Sequence, residues 1–98
     1  MNNVQDTYKK QLLGIIHRQL PSCRIYLFGS RARGTNHPGS DIDLAIDEGA
    51  RIPIEIIGMI QETIEESQIP FFVDVVDFRA VSQEMREQIK KEGILWNT

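Results

Sequence analysis

The stretch that decides the fold is Leu27-Phe28-Gly29-Ser30-Arg31-Ala32-Arg33-Gly34, followed shortly by Ser40-Asp41-Ile42-Asp43-Leu44. Side chains alternate between the two faces of a strand, so Asp41 and Asp43 share one face. Two neighbouring carboxylates repel each other unless a cation lies between them, and magnesium is a hard cation that prefers oxygen ligands. A Gly-Ser turn that opens a short helix offers backbone N–H groups to a phosphate. The stretch therefore predicts metal-assisted phosphoryl or nucleotidyl chemistry.

The rest of the chain alternates helix-period and strand-period patterns. Apolar residues at three- and four-residue steps predict a first helix over 4–20, and Arg24 to Phe28 and Asp41 to Ile46 are the first two strands. A helix opens at Pro53, a third strand spans 71–77, and Ser82 and Gly93 bound a last helix. We expect an α+β fold in which a small mixed β-sheet has its helices on one face and the site on the other.

Composition limits the classes of protein to which the chain can belong. Its 98 residues suit a single domain over 1–98, and the net charge of −3 argues against direct binding of nucleic acid. It has no apolar run of about 20 residues that could span a membrane, and the polar start from Met1 to Asp6 lacks the features of a signal peptide. We expect a cytoplasmic protein whose one cysteine, Cys23, precedes a buried strand and is structural.

A third carboxylate is needed for a two-metal site, and the third strand offers two. Asp74 alternates with the core-facing Val73 and Val75, whereas Asp77 falls on the same side as the valines. Parity therefore favours Asp74 as the partner of Asp41 and Asp43, although a bulge at the strand end would favour Asp77 instead.

Gly29-Ser30, ten intervening residues and the Asp41-x-Asp43 pair together resemble the signature of the DNA polymerase β nucleotidyltransferase superfamily. The chain is similar to its minimal nucleotidyltransferase (MNT) branch. The resemblance implies a polymerase-β-like nucleotidyltransferase core with two Mg²⁺ ions on Asp41, Asp43 and Asp74. It also implies ATP as the nucleotide donor, with the phosphates at Gly29 and Ser30, and Ser40 is a further residue expected to bind the nucleotide. Arg31 or Arg33 is expected to offset the phosphate charge.

Proteins of the MNT branch are commonly paired with a small helical HEPN protein, an RNase toxin whose tyrosine the MNT antitoxin adenylylates. The resemblance thus implies a Mg²⁺-dependent protein adenylyltransferase that acts as an antitoxin, alone or in a homo- or hetero-oligomer. The alternative from another class is a binding module that occludes its partner without catalysis. A further alternative is transfer to a small hydroxylated molecule, as in larger relatives that carry an extra acceptor domain.

Two other features have ordinary interpretations. His37 is expected in a mobile loop, where a structural or incidental role is favoured over an approach to the nucleotide. The apolar Ile94-Leu95-Trp96 segment either folds back on the core, which we favour, or forms a contact with a second chain.

Overall fold

The computed structural model describes residues 4–97, so the first three residues of the polar N-terminus lie outside the described part. Along the chain, the elements are α1 (Asp6–Gln19), β1 (Arg24–Phe28), α2 (Ser30–Arg33), β2 (Ile42–Asp47), α3 (Ile54–Glu65), β3 (Val73–Asp77), α4 (Gln83–Glu92) and β4 (Ile94–Leu95). Within that part, no helix has the length and apolar character required to cross a membrane.

The four strands form one mixed sheet in the order β3-β2-β1-β4. β1 lies antiparallel to both β2 and β4, whereas β2 and β3 are parallel and are joined through α3. A parallel pair requires such a crossover, because the chain must return to the same end of the sheet before the next strand begins. This parallel pair brings the start of β2 beside the start of β3.

One face of the sheet carries the main core. The alternating apolar residues of β1, β2 and β3 pack there against α1 and α3, as the strand pattern predicts. They include Ile25, Leu27, Ile42, Leu44, Val73 and Val75, together with Leu12, Ile16, Ile60 and Ile64 of the helices. The predicted α+β class with a small mixed sheet is confirmed.

The opposite face is partly covered, which refines the expectation that all helices lie on one face. Ile89 of α4 packs with Ala45 of β2 and with Phe78, just after β3. In β2, Asp43 lies two residues before Ala45. In β3, Asp74 lies two residues before Val76, which packs against the same cluster. Consequently α4 covers one end of this face and leaves the starts of β2 and β3 open.

Most element boundaries agree with the sequence patterns within one or two residues. Ser82 caps α4 by accepting a hydrogen bond from the backbone N–H of Met85 (3.1 Å), and Gly93 ends the helix. Pro53 is the N-cap of α3 rather than its first residue. β4 was not predicted, because a two-residue strand has too few positions to show alternation.

The C-terminal segment folds back on the core, which confirms the interpretation that we favoured. Trp96 is buried in the main cluster, while the Asn97 side chain accepts a hydrogen bond from Ile25 N–H and donates one to the Cys23 carbonyl (both 2.8 Å). Cys23 is buried, and loss of solvation raises the pKa of its thiol to about 11. A structural role for this cysteine follows, since its thiolate is scarce at neutral pH.

Candidate active site

The first feature of the site is a pair of carboxylates on adjacent strands. Asp43 of β2 is the direct register partner of Asp74 of β3, and neighbouring strands lie about 4.8 Å apart. Val73 and Val75 on either side of Asp74 are buried in the core, whereas Asp74 is exposed. The predicted parity is thus confirmed, and Asp74 points to the same open face as Asp43.

Asp77 lies on the other face of the sheet and has a structural role. It is buried on the core side of the sheet, where its carboxylate accepts hydrogen bonds from the backbone N–H groups of Ile52 (2.8 Å) and Arg79 (3.0 Å). These two bonds tie the segment before α3 to the turn after β3. Asp77 therefore organises two loops at the far end of β3 and does not reach the open face.

Negative charge accumulates around Asp43. Burial raises the pKa of its carboxyl group, the negative charges of Asp74 and Asp41 raise it further, and Arg33 offsets part of that effect. Asp41 is exposed immediately before β2. The three carboxylates therefore place like charges close together, and a cation among them would relieve the repulsion.

Gly29 lies directly against the Asp43 carboxylate. Its backbone has φ of 77° and ψ of −157°, a conformation that is essentially restricted to glycine. A Cβ atom at this position would collide with Oδ2 of Asp43. The glycine is thus required twice, once for the turn into α2 and once for the close approach of the carboxylate.

An open cleft of about 400 Å³ runs from the Gly-Ser turn to the aspartates. It is lined by Gly29, Ser30, Arg33, His37, Gly39, Ser40, Asp41 and Asp43. Asp74 is not part of this lining and lies beside Asp43 on the neighbouring strand. The cleft has the size of a small-molecule site, for which volumes of about 300 to 1,000 Å³ are typical.

The loop that closes the cleft is held by Ser40 and His37. The Ser40 hydroxyl accepts a hydrogen bond from His37 N–H (2.9 Å), while Ser40 N–H donates to the His37 carbonyl (3.0 Å). Ser40 is buried and its hydroxyl is engaged within the loop. Its contribution to the cleft is therefore to fix the shape of the turn immediately before Asp41.

The two arginines of α2 have separate roles. Arg31 is 6% exposed, and its guanidinium donates to the Ser40 carbonyl from Nε (3.0 Å) and Nη2 (2.8 Å) while lying 4.6 Å from the centre of the Phe71 ring. The expectation that Arg31 contacts phosphate does not fit this placement, because the side chain is buried and directed at the loop. Arg33 is the arginine that lines the cleft, where it also pairs with Glu92 (3.5 Å).

The donor set suits a hard divalent cation completed by substrate oxygens. Within residues 4–97, no three histidine, cysteine, aspartate or glutamate side chains are already arranged to hold a metal ion. Magnesium is usually bound by one or two carboxylates together with the phosphates of a nucleotide, so a preformed cage is not needed. The carboxylates near Asp43 fit this mode of binding, and the triphosphate would supply the remaining oxygens.

Two neighbours of the site were not identified from the sequence. Glu92 reaches Arg33 across 59 positions of the chain, and no local motif marks that contact. Phe72 is a large apolar residue that is 56% exposed two positions before Asp74. Strand alternation places Phe72 on the same face as Asp74, but its high exposure is not predicted from the sequence, because strand aromatics are usually buried.

Comparisons with known proteins agree with the geometry. The family model for "Polymerase beta, Nucleotidyltransferase" matches residues 10–96. A Haemophilus influenzae protein named "Probable protein adenylyltransferase MntA" is 32% identical over 77 residues, which span 79% of this chain and 68% of that protein. The protein adenylyltransferase MntA of Shewanella oneidensis is 30% identical over 103 residues, which span 97% and 69%. A crystal structure of a toxin–antitoxin with AMP-PNP superposes with a TM-score of 0.78 at 27% identity, covering 91% of this chain and 72% of that one.

The close approach of Gly29 to Asp43 predicts an unusually costly alanine substitution. Gly49 has a similar positive φ of 86° but open space where a Cβ would lie, so Gly49→Ala carries only the backbone strain of about 1 to 2 kcal/mol. Gly29→Ala adds the displacement of the Asp43 carboxylate and a ψ of −157°, which is essentially restricted to glycine, so we expect it to lower the free energy of unfolding by about 1 kcal/mol more. Urea denaturation of both variants measures the difference, and equal losses would contradict the close approach.

The accumulated charge predicts that Asp43 destabilises the free protein. Its pKa is raised in the folded state, so the penalty is fully present above that raised pKa and disappears below the ordinary value of 3.8. We expect Asp43→Asn to raise the free energy of unfolding at pH 7 by about 0.5 kcal/mol, the size typical of partly exposed charges, and to give no gain near pH 3. The control is Glu84→Gln, which removes the charge of an exposed carboxylate on α4. Loss of stability at pH 7 would show that the Asp43 carboxylate makes a favourable contact instead.

Proposed function

The chain belongs to the polymerase beta nucleotidyltransferase family, and we propose that it transfers AMP from ATP to a tyrosine hydroxyl of a HEPN-family partner, thereby acting as an antitoxin. The observation that carries this proposal is the register pairing of Asp43 with Asp74 beside the Gly29-Ser30 turn. Two relatives that are at least 30% identical over the aligned residues are named as a probable protein adenylyltransferase and a protein adenylyltransferase, which supports transfer of AMP to a protein. The AMP-PNP of the similar toxin–antitoxin structure supports ATP as the donor.

Asp41, Asp43 and Asp74 are the residues proposed to hold two magnesium ions. When bound, such ions neutralise the phosphates and lower the pKa of the attacking hydroxyl. The acceptor oxygen forms a bond to the α-phosphorus while the bond to pyrophosphate breaks, and the hydroxyl proton passes to water. Neither a histidine nor a cysteine nucleophile is required for this direct transfer.

The other residues of the cleft are proposed to bind and orient the triphosphate. Ser30 stands at the start of α2, and Arg33 lies close enough to the carboxylates to lower the pKa of Asp43. Both line the cleft, which supports a role for them in binding the phosphates that leave as pyrophosphate. Arg31 acts through the Ser40 carbonyl and holds the loop that carries Asp41 in place.

The position of the Phe72 side chain supports an acceptor group that carries an aromatic ring. Phe71 packs edge-on against Tyr8 on the helix side of the sheet, with ring centres 5.6 Å apart, so the alternation of the strand turns Phe72 toward the open face. Its carbonyl accepts a hydrogen bond from Ile42 N–H (2.9 Å), which fixes it beside the start of β2. An exposed aromatic ring at this position can pack against the ring of an incoming tyrosine.

We further propose that residues 1–98 form one nucleotidyltransferase domain that acts in the cytoplasm. The match over 10–96 supports the domain, since it includes every strand of the sheet. ATP and magnesium are cytoplasmic reactants, which supports the location.

Replacement of the carboxylates separates catalysis from occlusion. We expect the Asp41→Asn/Asp43→Asn variant to bind the HEPN partner as the original chain does but to leave its mass unchanged after incubation with ATP and magnesium. The original chain should raise the partner's intact mass by whole AMP units. If both forms suppress the toxin equally without a mass change, the non-catalytic antitoxin is correct and adenylylation is not.

The proposed role of Phe72 predicts that its removal weakens binding of the protein acceptor and not of ATP. We expect Phe72→Ala to raise the KM for the protein acceptor about 5- to 10-fold, in the range of an aromatic pair contact, with the KM for ATP unchanged. Met59→Ala, which removes an exposed apolar side chain from α3, is the matched control and should change neither constant. Equal effects of the two substitutions would contradict an acceptor contact at Phe72.

A further inference from the structure

A second, smaller cavity lies on the other side of the Gly-Ser turn. It has a volume of about 140 Å³ between α4 and the end of β1. Gly29 and Arg33 line both this cavity and the larger cleft, so the two spaces meet at the turn. No part of the proposed transfer chemistry uses the smaller cavity.

The walls of this cavity are apolar on two sides and polar at one edge. Phe28 closes the strand side, and Met85 and Ile89 of α4 close the helix side. Gln88 and Glu92 contribute an amide and a carboxylate from the same helix. Positions 85, 88, 89 and 92 recur at three- and four-residue steps, so one face of α4 presents all four side chains.

We propose that this cavity binds the adenine base of the donor nucleotide; the inference rests on the proposed function. Phe28 is the register partner of Asp43, so the cavity begins beside one of the carboxylates that are proposed to hold the magnesium ions. A flat heteroaromatic ring fits between an aromatic side chain and a methionine, because both give favourable contacts with its faces and edges.

Gln88 is the residue that selects the base. It donates one amide hydrogen to Glu92 (3.4 Å), which leaves its carbonyl oxygen and second amide hydrogen for a ligand. A glutamine amide pairs with adenine through one accepted and one donated hydrogen bond. Guanine presents a carbonyl where adenine has an amino group, so it meets the amide oxygen with a second acceptor.

The Arg33–Glu92 pair connects the base cavity with the phosphate cleft. Both side chains are partly exposed and their charged atoms are 3.5 Å apart, so the pair can open at little cost. Arg33 can then turn to the triphosphate, while Glu92 remains beside Gln88. Arg33 thus lies at the boundary between the cavity proposed for the base and the cleft proposed for the phosphates.

The test is a binding measurement that does not require transfer. Isothermal titration in the presence of magnesium compares α,β-methylene ATP, its guanine counterpart and inorganic tripolyphosphate. The variants are Met85→Ala and Gln88→Leu, and Glu84→Ala on the same helix outside the cavity is the control. Comparison with tripolyphosphate isolates the contribution of the base from that of the phosphates.

We expect the adenine analogue to bind the original chain more tightly than tripolyphosphate does. The ratio of the affinity for the adenine analogue to the affinity for tripolyphosphate should fall about 2- to 10-fold in Met85→Ala and in Gln88→Leu. A change of this size is expected from the loss of one sulfur–aromatic contact or one hydrogen bond. Gln88→Leu should also remove the preference for adenine over guanine, while the affinity for tripolyphosphate stays within twofold of the original in every variant.

Two results would overturn the proposal, and they differ in what else they affect. If all three ligands bind but the ratios do not change in either variant, the base lies elsewhere and the proposed adenylylation stands. If neither the analogues nor tripolyphosphate bind with magnesium, both the base site and the proposed nucleotidyl transfer are wrong.

Discussion

The contact between the Gly29 backbone and the Asp43 carboxylate is the constraint on which the rest of the site depends. It requires a residue without a side chain at the end of β1, where φ is 77°. It also places the start of α2 against the strand that carries the aspartates. Because Asp43 pairs with Asp74 in register, the same contact brings the turn, α2 and both parallel strands to one open edge. A side chain at Gly29 would displace the carboxylate from this position.

The site combines stabilising and destabilising elements in separate places. The core face of the sheet holds the apolar side chains of three strands, and α4 covers part of the opposite face. The open edge is left with Asp43, whose pKa is raised by burial and then by the like charges of Asp74 and Asp41. Functional sites commonly retain such unfavourable arrangements, which a ligand then relieves. The repulsion at the open edge is consistent with a site that becomes favourable when a metal-bound nucleotide enters.

How far the sequence predicts this structure depends on the range of the interaction concerned. Asp74 was chosen over Asp77 by alternation alone, and the register confirms its position, because strand parity is a local property. The role of Arg31 was not predictable, since its burial against Phe71 and the Ser40 carbonyl arises only when the loop folds back. Likewise, the contact of Glu92 with Arg33 joins distant parts of the chain and follows from the packing of α4 on the second face. Short-range patterns thus predicted the carboxylates, and tertiary contacts decided which arginine faces the cleft.

The central claim is that Asp41, Asp43 and Asp74 together hold the metal ions of a nucleotide complex. The most direct measurement is an anomalous difference map from crystals of the chain grown with Mn²⁺ and α,β-methylene ATP. We predict peaks at the open edge of the sheet within bonding distance of all three carboxylates and of phosphate oxygens. Nucleotide bound with manganese elsewhere, or with no contact to Asp43 and Asp74, would contradict the claim.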